Sequence, residues 1–135
     1  MSLESVQSAC VAAVVAAMPD IEFEHENSPF EKPHGAKWGA INFEHAGNEP
    51  STMGDDGFDQ DTGFVQVDIR YPLDTGWQDA AEDFDRLRAA WKRGASYTSG
   101  GQEVRCGDCV RSRAKREDDC YRLTMTAYWW AEIAR

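Results

Sequence analysis

The sequence lacks a hydrophobic run long enough to cross a membrane, because no stretch reaches the roughly 18 consecutive apolar residues that a span requires. The apolar run Ala9–Met18 is shorter, and Glu4 is the only charged residue before it. A secretory signal peptide would begin with basic residues, so this run is predicted to be a helix of the mature fold. Without a secretion signal, the four cysteines are expected to be reduced cytosolic thiols.

Basic residues are scarce. The chain has 14 Lys and Arg against 24 Asp and Glu, a net charge of −10. A protein that wraps nucleic acid needs an excess of cations to neutralise phosphates, so that function is disfavoured. The acidic balance is explained by solubility. The alternative is a surface that lies close to DNA without adhering to it.

The recognised motifs of catalysis and phosphate binding are missing as well. No Ser or Cys lies in a nucleophile elbow, and no Gly-rich phosphate loop is present. His25, His34 and His45 lie near carboxylates, as surface pairs commonly do. The sequence therefore predicts neither an enzyme nor a cofactor.

Metal-binding patterns are incomplete. Cys106 and Cys109 have the spacing of a zinc knuckle and Cys120 offers a third thiolate, but structural zinc takes four ligands and no second pair follows. The acids around Asp55 and Asp59 fit an EF-hand in neither register. Ordinary thiols are favoured. A small Cys-rich zinc module and an irregular calcium site stay open as alternatives.

What is present predicts one packed domain over residues 1–135, with 41% hydrophobic residues and five Trp. The clearest unit runs from Gly63 to Gly94. Alternation over Val65–Tyr71 predicts a half-buried strand, and an apolar stripe over Trp77–Trp91 predicts an amphipathic helix. The acidic residues of this helix precede its basic residues. This order complements the helix dipole and predicts a solvated charged face.

Other patterns predict a helix over Leu3–Met18, a weak strand over Ile21–His25, and strands over Lys37–His45, Gln102–Ser112 and Cys120–Trp130. The order α-(β)-β-β-α-β-β predicts an α+β fold: a mainly antiparallel sheet of four to five strands, with two helices packed on one face. Ala46–Thr62, rich in Gly and acids, is predicted to be an irregular loop that is functional or mobile.

Two segments carry a family resemblance. The first comprises EHENSPF (Glu24–Phe30), Pro33 and WGAINF (Trp38–Phe43); the second comprises GFVQVDIRYP (Gly63–Pro72), Gly76 and the following helix. In this order they resemble the tail terminator proteins of long-tailed bacteriophages. The resemblance extends from the first helix to the last strand.

The resemblance implies a non-enzymatic virion protein, assembled in the host bacterial cytoplasm, that caps the tail tube and ends its polymerisation. Such proteins act as rings, generally hexameric. The implied partners are further copies of the chain, the major tail tube protein and a head or neck completion protein, while DNA passes through the lumen without specific binding. A neck or head–tail connector is the alternative. We expect the acidic segment to contact a neighbouring subunit through the following residues: Met53, Asp55, Asp56, Phe58, Asp59 and Asp61.

Overall fold

The computed structural model describes residues 2–135. Their elements, in chain order, are α1 (Leu3–Ala17), β1 (Glu22–Glu24), β2 (Trp38–Pro50), β3 (Phe58–Tyr71), α2 (Gln78–Ala90), β4 (Ser96–Ser99), β5 (Gln102–Arg111), β6 (Lys115–Arg116) and β7 (Tyr121–Ala134). The strands form one sheet in the order β1-β2-β3-β7-β5-β4, with β6 paired to β7. The β1–β2 pairing is parallel and the others are antiparallel.

The α+β class and the two helices are confirmed, but the predicted four to five antiparallel strands are wrong. The sheet has seven strands and is mixed. The sequence pattern missed β4 and β6, because four and two residues are too few to show a period-2 alternation. The weak strand predicted over Ile21–His25 exists as the three residues of β1, and its parallel pairing makes the sheet mixed.

The core lies between the helices and one face of the sheet. Ile41, Val67 and Met125 are Cα partners across β2, β3 and β7, so their side chains share that face, and each is buried. α1 contacts α2 and the strands β2, β4 and β5. Ser2 is the N-cap of α1, since its hydroxyl accepts the Ser5 N–H at 3.2 Å. Neither helix of residues 2–135 is long and apolar enough to cross a bilayer.

The predicted faces of α2 need two corrections. Ala80, Leu87 and Trp91 are buried as predicted, but Trp77 lies just before the helix and is 64% exposed. Asp83, which the sequence predicts on a solvated charged face, is only 1% exposed. The helical period cannot distinguish a solvated acid from one buried against cations of distant segments, because those cations are brought near only by folding.

The long loop predicted over Ala46–Thr62 is mostly strand. β2 continues to Pro50 and β3 begins at Phe58, so only residues 51–57 form the turn between them. A bulge between His45 and Gly47 shifts the register, and pairing then continues from Gly47 opposite Thr62 to Pro50 opposite Asp59. This part of β3 also pairs with β7, which is distant in the sequence. Its backbone hydrogen bonds to that strand stabilise the extended conformation, although the local strand propensity is weak.

Candidate functional site

The distal ends of three strands form an arm, defined here as residues 44–63 and 129–134. Asn48, Asp61 and Ala131 are neighbours across it, and so are Pro50, Asp59 and Ile133. Residues 44–46 and 48–50 are exposed, in contrast to the alternating burial of Gly63–Tyr71. The arm therefore extends beyond the part of the sheet that the helices cover.

The tip of the arm, residues 51–57, is held in place by Arg135. The Arg135 guanidinium donates to the Thr52 carbonyl at 2.6 Å, the Phe58 carbonyl at 2.9 Å and Asp59 Oδ1 at 2.6 Å. The Arg135 backbone N–H donates to the Gly57 carbonyl at 2.9 Å. The hydrogen bond from Arg135 also lowers the pKa of Asp59. The tip is thus the part of the predicted irregular loop that is not strand, and Arg135 holds it as a turn.

The six residues predicted to contact a neighbour divide into two groups. Met53 is 93% exposed, and Asp55 and Asp56 are exposed and form no ion pair within residues 2–135. Phe58 is 38% exposed at the start of β3. Asp59 is bound to Arg135, and Asp61 is buried, accepting a hydrogen bond from Asn48. Met53, Asp55, Asp56 and part of Phe58 are thus available to a partner, whereas Asp59 and Asp61 make contacts within the arm.

Trp129 packs across the root of the arm, and the sequence pattern did not reveal this role. Its indole is 2% exposed and stacks on Phe43, with ring centroids 5.2 Å apart and an interplanar angle of 9°. It also covers Gly63, where an added Cβ would lie 2.1 Å from the Glu44 carbonyl oxygen and 2.6 Å from Trp129 Cζ2. Glycine is therefore required at residue 63 so that β2 and Trp129 can approach β3.

A cluster of charged residues around the buried Asp83 carboxylate lies on the helix side of the fold. Asp83 accepts hydrogen bonds from the Tyr71 hydroxyl at 2.8 Å, Lys37 Nζ at 3.0 Å and Arg86 Nη1 at 3.0 Å. Burial and the Asp83 carboxylate raise the pKa of Tyr71. Burial alone would lower the pKa of Lys37, but hydrogen bonds to Asp79 and Asp83 outweigh it, and that pKa is raised. The cluster joins α2 to the segment before β2 and to the end of β3.

The sequence matches the family of phage tail terminator proteins over residues 5–131. The chain belongs to this family. One solved structure, which has no functional name, is similar with a TM-score of 0.78 and 18% identity, covering 98% of this chain and 97% of that one. A chain from the virion of a native gene transfer agent particle is similar with a TM-score of 0.61 and 12% identity, covering 98% and 97%. No curated protein matches the sequence.

The match to the tail terminator family includes most of α1, all of α2 and most of the arm. Membership confirms the resemblance noted in the sequence and assigns the chain a structural or assembly role in a phage-type tail, in association with other tail or virion components. The two solved structures, at 18% and 12% identity, show a shared fold alone.

The cysteines of this tail terminator do not gather into a metal site. Cys106 lies opposite Trp129 and Cys109 opposite Ala127, whereas Cys120 directly precedes β7 at Tyr121. At about 3.3 Å per strand residue, Cys120 is on the order of 20 Å from Cys109. Within residues 2–135, no three His, Cys, Asp or Glu side chains are grouped closely enough to hold a metal ion. The three cysteines of the zinc alternative are therefore not brought together in the described structure.

The thiols are expected to react slowly in the folded protein. Burial raises the pKa of Cys10 to about 12 and those of Cys106 and Cys109 to about 11, so little thiolate forms at pH 8. Reaction with Ellman's reagent should be on the order of 100-fold slower than for a free cysteine, and normal after unfolding in guanidinium. A native thiol reacting at the free rate would contradict this.

Because the thiols ionise at lower pH in the unfolded chain than in the folded one, the free energy of unfolding should fall as the pH rises above about 9.

Proposed function

We propose that this protein forms a hexameric ring that caps the tail tube, ends its polymerisation and offers a surface to a head or neck completion protein. Membership of the tail terminator family supports the role. The observation that carries the proposal is the arm, which extends past the core and exposes Met53 at its tip. A closed ring joins two different patches of neighbouring subunits, and a projecting element provides one such patch.

The tip of the arm is suited to binding because it is already ordered. Arg135 fixes the backbone at Thr52, Gly57 and Phe58, so little conformational entropy is lost when a partner binds. Met53 projects from this fixed backbone, and its flexible thioether side chain adapts to an irregular apolar surface. Asp55 and Asp56 follow it closely in the chain and favour a partner surface with basic residues.

The proposed role requires binding and no catalysis. Capping removes the surface on which the next tube subunit would assemble, and a bound ring achieves this by occupying it. The net charge of −10 repels phosphate, so DNA would pass through the ring without specific binding. We further propose that assembly takes place in the host bacterial cytoplasm, where the major tail tube protein would be its partner.

Met53→Ser is expected to weaken capping by roughly tenfold or more without lowering stability. The loss follows from the apolar burial of one Met side chain, about 1.5–3 kcal/mol. The measurement is the length distribution of tubes polymerised from the major tail tube protein with each variant, imaged by electron microscopy. Thermal unfolding followed by circular dichroism checks the fold.

Leu3→Ser is the matched control, since Leu3 is a partly exposed apolar residue outside the arm. Capping should survive this change. If Met53→Ser capped tubes as well as the wild type does, the tip of the arm would not be the contact that produces capping. If the wild-type protein bound head or neck proteins but left tube length unaltered, the neck connector alternative would replace the proposed function.

A further inference from the structure

The charge of the chain is divided unevenly along the sequence. Residues 1–61 contain twelve Asp and Glu but two Lys and no Arg, so they hold a net charge of −10. Residues 62–135 contain twelve acids and twelve bases. Within that second part, residues 86–116 contain nine bases and two acids, a net charge of +7. The chain is therefore strongly dipolar, although its total charge describes it as acidic.

Folding places the acidic residues of β1 and β2 and the basic residues around β5 at opposite ends of the sheet. β1 and β2 form one end of the strand order, while β5 and β4 form the other, with the last turn of α2 packed near β5. We define the acidic edge by four exposed residues of β1 and β2: Glu22, Glu24, Glu44 and Glu49. We define the basic edge by four exposed residues at the end of α2 and around the end of β5: Arg88, Lys92, Arg111 and Arg113.

The charges on both edges lack partners of opposite charge in the subunit. None of these eight residues forms an ion pair with another residue of the described chain, whereas Arg93 and Arg105 nearby are paired with Asp108 and Glu103. Unpaired like charges on one edge repel one another and favour an oppositely charged surface. In the isolated subunit, each edge therefore has charges of one sign without oppositely charged partners.

Both edges also offer open strand backbone and apolar side chains. β1 pairs with β2 only over Trp38–Ala40, which leaves the rest of that side of β2 without a neighbouring strand. A groove of about 770 Å³ runs beside it, lined in part by Val11, Val15 and Phe43. On the other edge, β4 pairs with β5 only as far as Arg105, and Val110 beyond this point is 46% exposed. Open edges with apolar residues are sites at which another chain can add.

We propose that the acidic edge of one subunit binds the basic edge of a second copy, and that this head-to-tail contact is the interface between neighbours in the ring. The inference rests on the proposed ring and specifies its contact surfaces. Two different patches at opposite ends of a sheet are the arrangement that a heterologous, closing interface requires. The contact should weaken as salt rises, because the screening length falls from about 10 Å at 0.1 M to about 3 Å at 1 M.

The test reverses the charge of each edge separately. The acidic-edge variant carries Glu22→Lys, Glu24→Lys, Glu44→Lys and Glu49→Lys, which changes the charge of that edge from −4 to +4. The basic-edge variant carries Arg88→Glu, Lys92→Glu, Arg111→Glu and Arg113→Glu, which changes the charge of that edge from +4 to −4. Each variant alone would place like charges across the contact and should lose self-association by more than about tenfold. Mixed one to one, the two variants can form only complementary contacts with each other. The mixture should therefore restore a ring with equal numbers of each variant.

Light scattering and native mass spectrometry at low salt, with one variant isotopically labelled, measure the stoichiometry. The matched control reverses four exposed acids outside both edges that form no ion pair in the described chain: Glu82, Asp85, Asp118 and Asp119. This control should assemble like the wild type. Circular dichroism establishes that every variant is folded.

Restoration by the mixture alone supports the inference. If either variant alone assembles as well as the wild type, the proposed interface is wrong. The same holds if the wild type assembles but the folded mixture does not. Neither result contradicts the ring itself. If the wild type assembles only on tubes, the same samples are scored for capping with the same criteria. A wild type that neither assembles nor caps tubes contradicts the proposed function itself.

Discussion

Replacing Asp83 by alanine is expected to lower the free energy of unfolding by about 3–5 kcal/mol, the cost of removing one partner from a buried ion pair. The carboxylate is 1% exposed and accepts hydrogen bonds from Tyr71, Lys37 and Arg86. Without it, the Lys37 ammonium and the Tyr71 hydroxyl would lose their buried acceptor. Guanidinium denaturation followed by tryptophan fluorescence measures the loss.

Asp85→Ala is the matched control, because Asp85 is exposed on the same helix and forms no ion pair within residues 2–135. Its effect should stay within about 0.5 kcal/mol. A double-mutant cycle of Asp83→Ala with Tyr71→Phe should be non-additive, since the two residues share a hydrogen bond. Equal losses for Asp83→Ala and Asp85→Ala would show that the buried cluster contributes little to stability.

The Asp83 cluster is important for the site because it fixes the segment that leads into the arm. Lys37 immediately precedes β2, and it contacts Asp79 and Asp83 of α2 at 3.0 Å each. Asp20, which follows α1, is bound to Arg86, and that hydrogen bond lowers the pKa of Asp20. This contribution is present above the ordinary pKa of an aspartate and is lost as the pH falls below about 4. The cluster thus holds α1, α2 and the start of β2 together.

Gly63→Ala is expected to destabilise the fold by about 2–3 kcal/mol and to abolish capping. The new Cβ would lie 2.1 Å from the Glu44 carbonyl oxygen and 2.6 Å from Trp129 Cζ2, so either β2 or the indole must move. Trp129 is buried and stacked on Phe43, so it has little room to yield. A shift of β2 at Glu44 would redirect the arm beyond it. Thermal unfolding and the tube-length measurement report the two effects separately.

Gly47→Ala is the control for this prediction, because Gly47 lies on the same arm and has an ordinary negative φ. Its added Cβ would meet only the Thr62 hydroxyl, at 3.0 Å, and that side chain can rotate. We expect a loss of less than about 1 kcal/mol and normal capping. If Gly63→Ala behaved like this control, the close packing of Trp129 at the root of the arm would not direct the arm.

Local patterns sufficed for the elements that bury one face. The alternation of β3 around Val67 and that of β7 around Met125 predicted both strands, because every second residue there enters the core. The same reasoning fails for residues 46–50 and 58–62, where neither face of the sheet is covered over most of its length. These residues show no period and instead have a composition typical of loops. The strand structure of residues 58–62 depends on pairing with β7, more than sixty residues away, and residues 47–50 in turn pair with β3.

The sequence by itself determined the α+β class, the two helices, the main strands and the family resemblance, because each depends on residues that are near one another in the chain. Only the tertiary structure decided that the predicted acidic loop is an ordered arm, that Asp83 is a buried partner of Lys37, and that opposite charges occupy opposite edges of the sheet. These features arise from contacts between distant segments. A pattern along the chain records the environment of each residue, but it does not record which segment provides that environment.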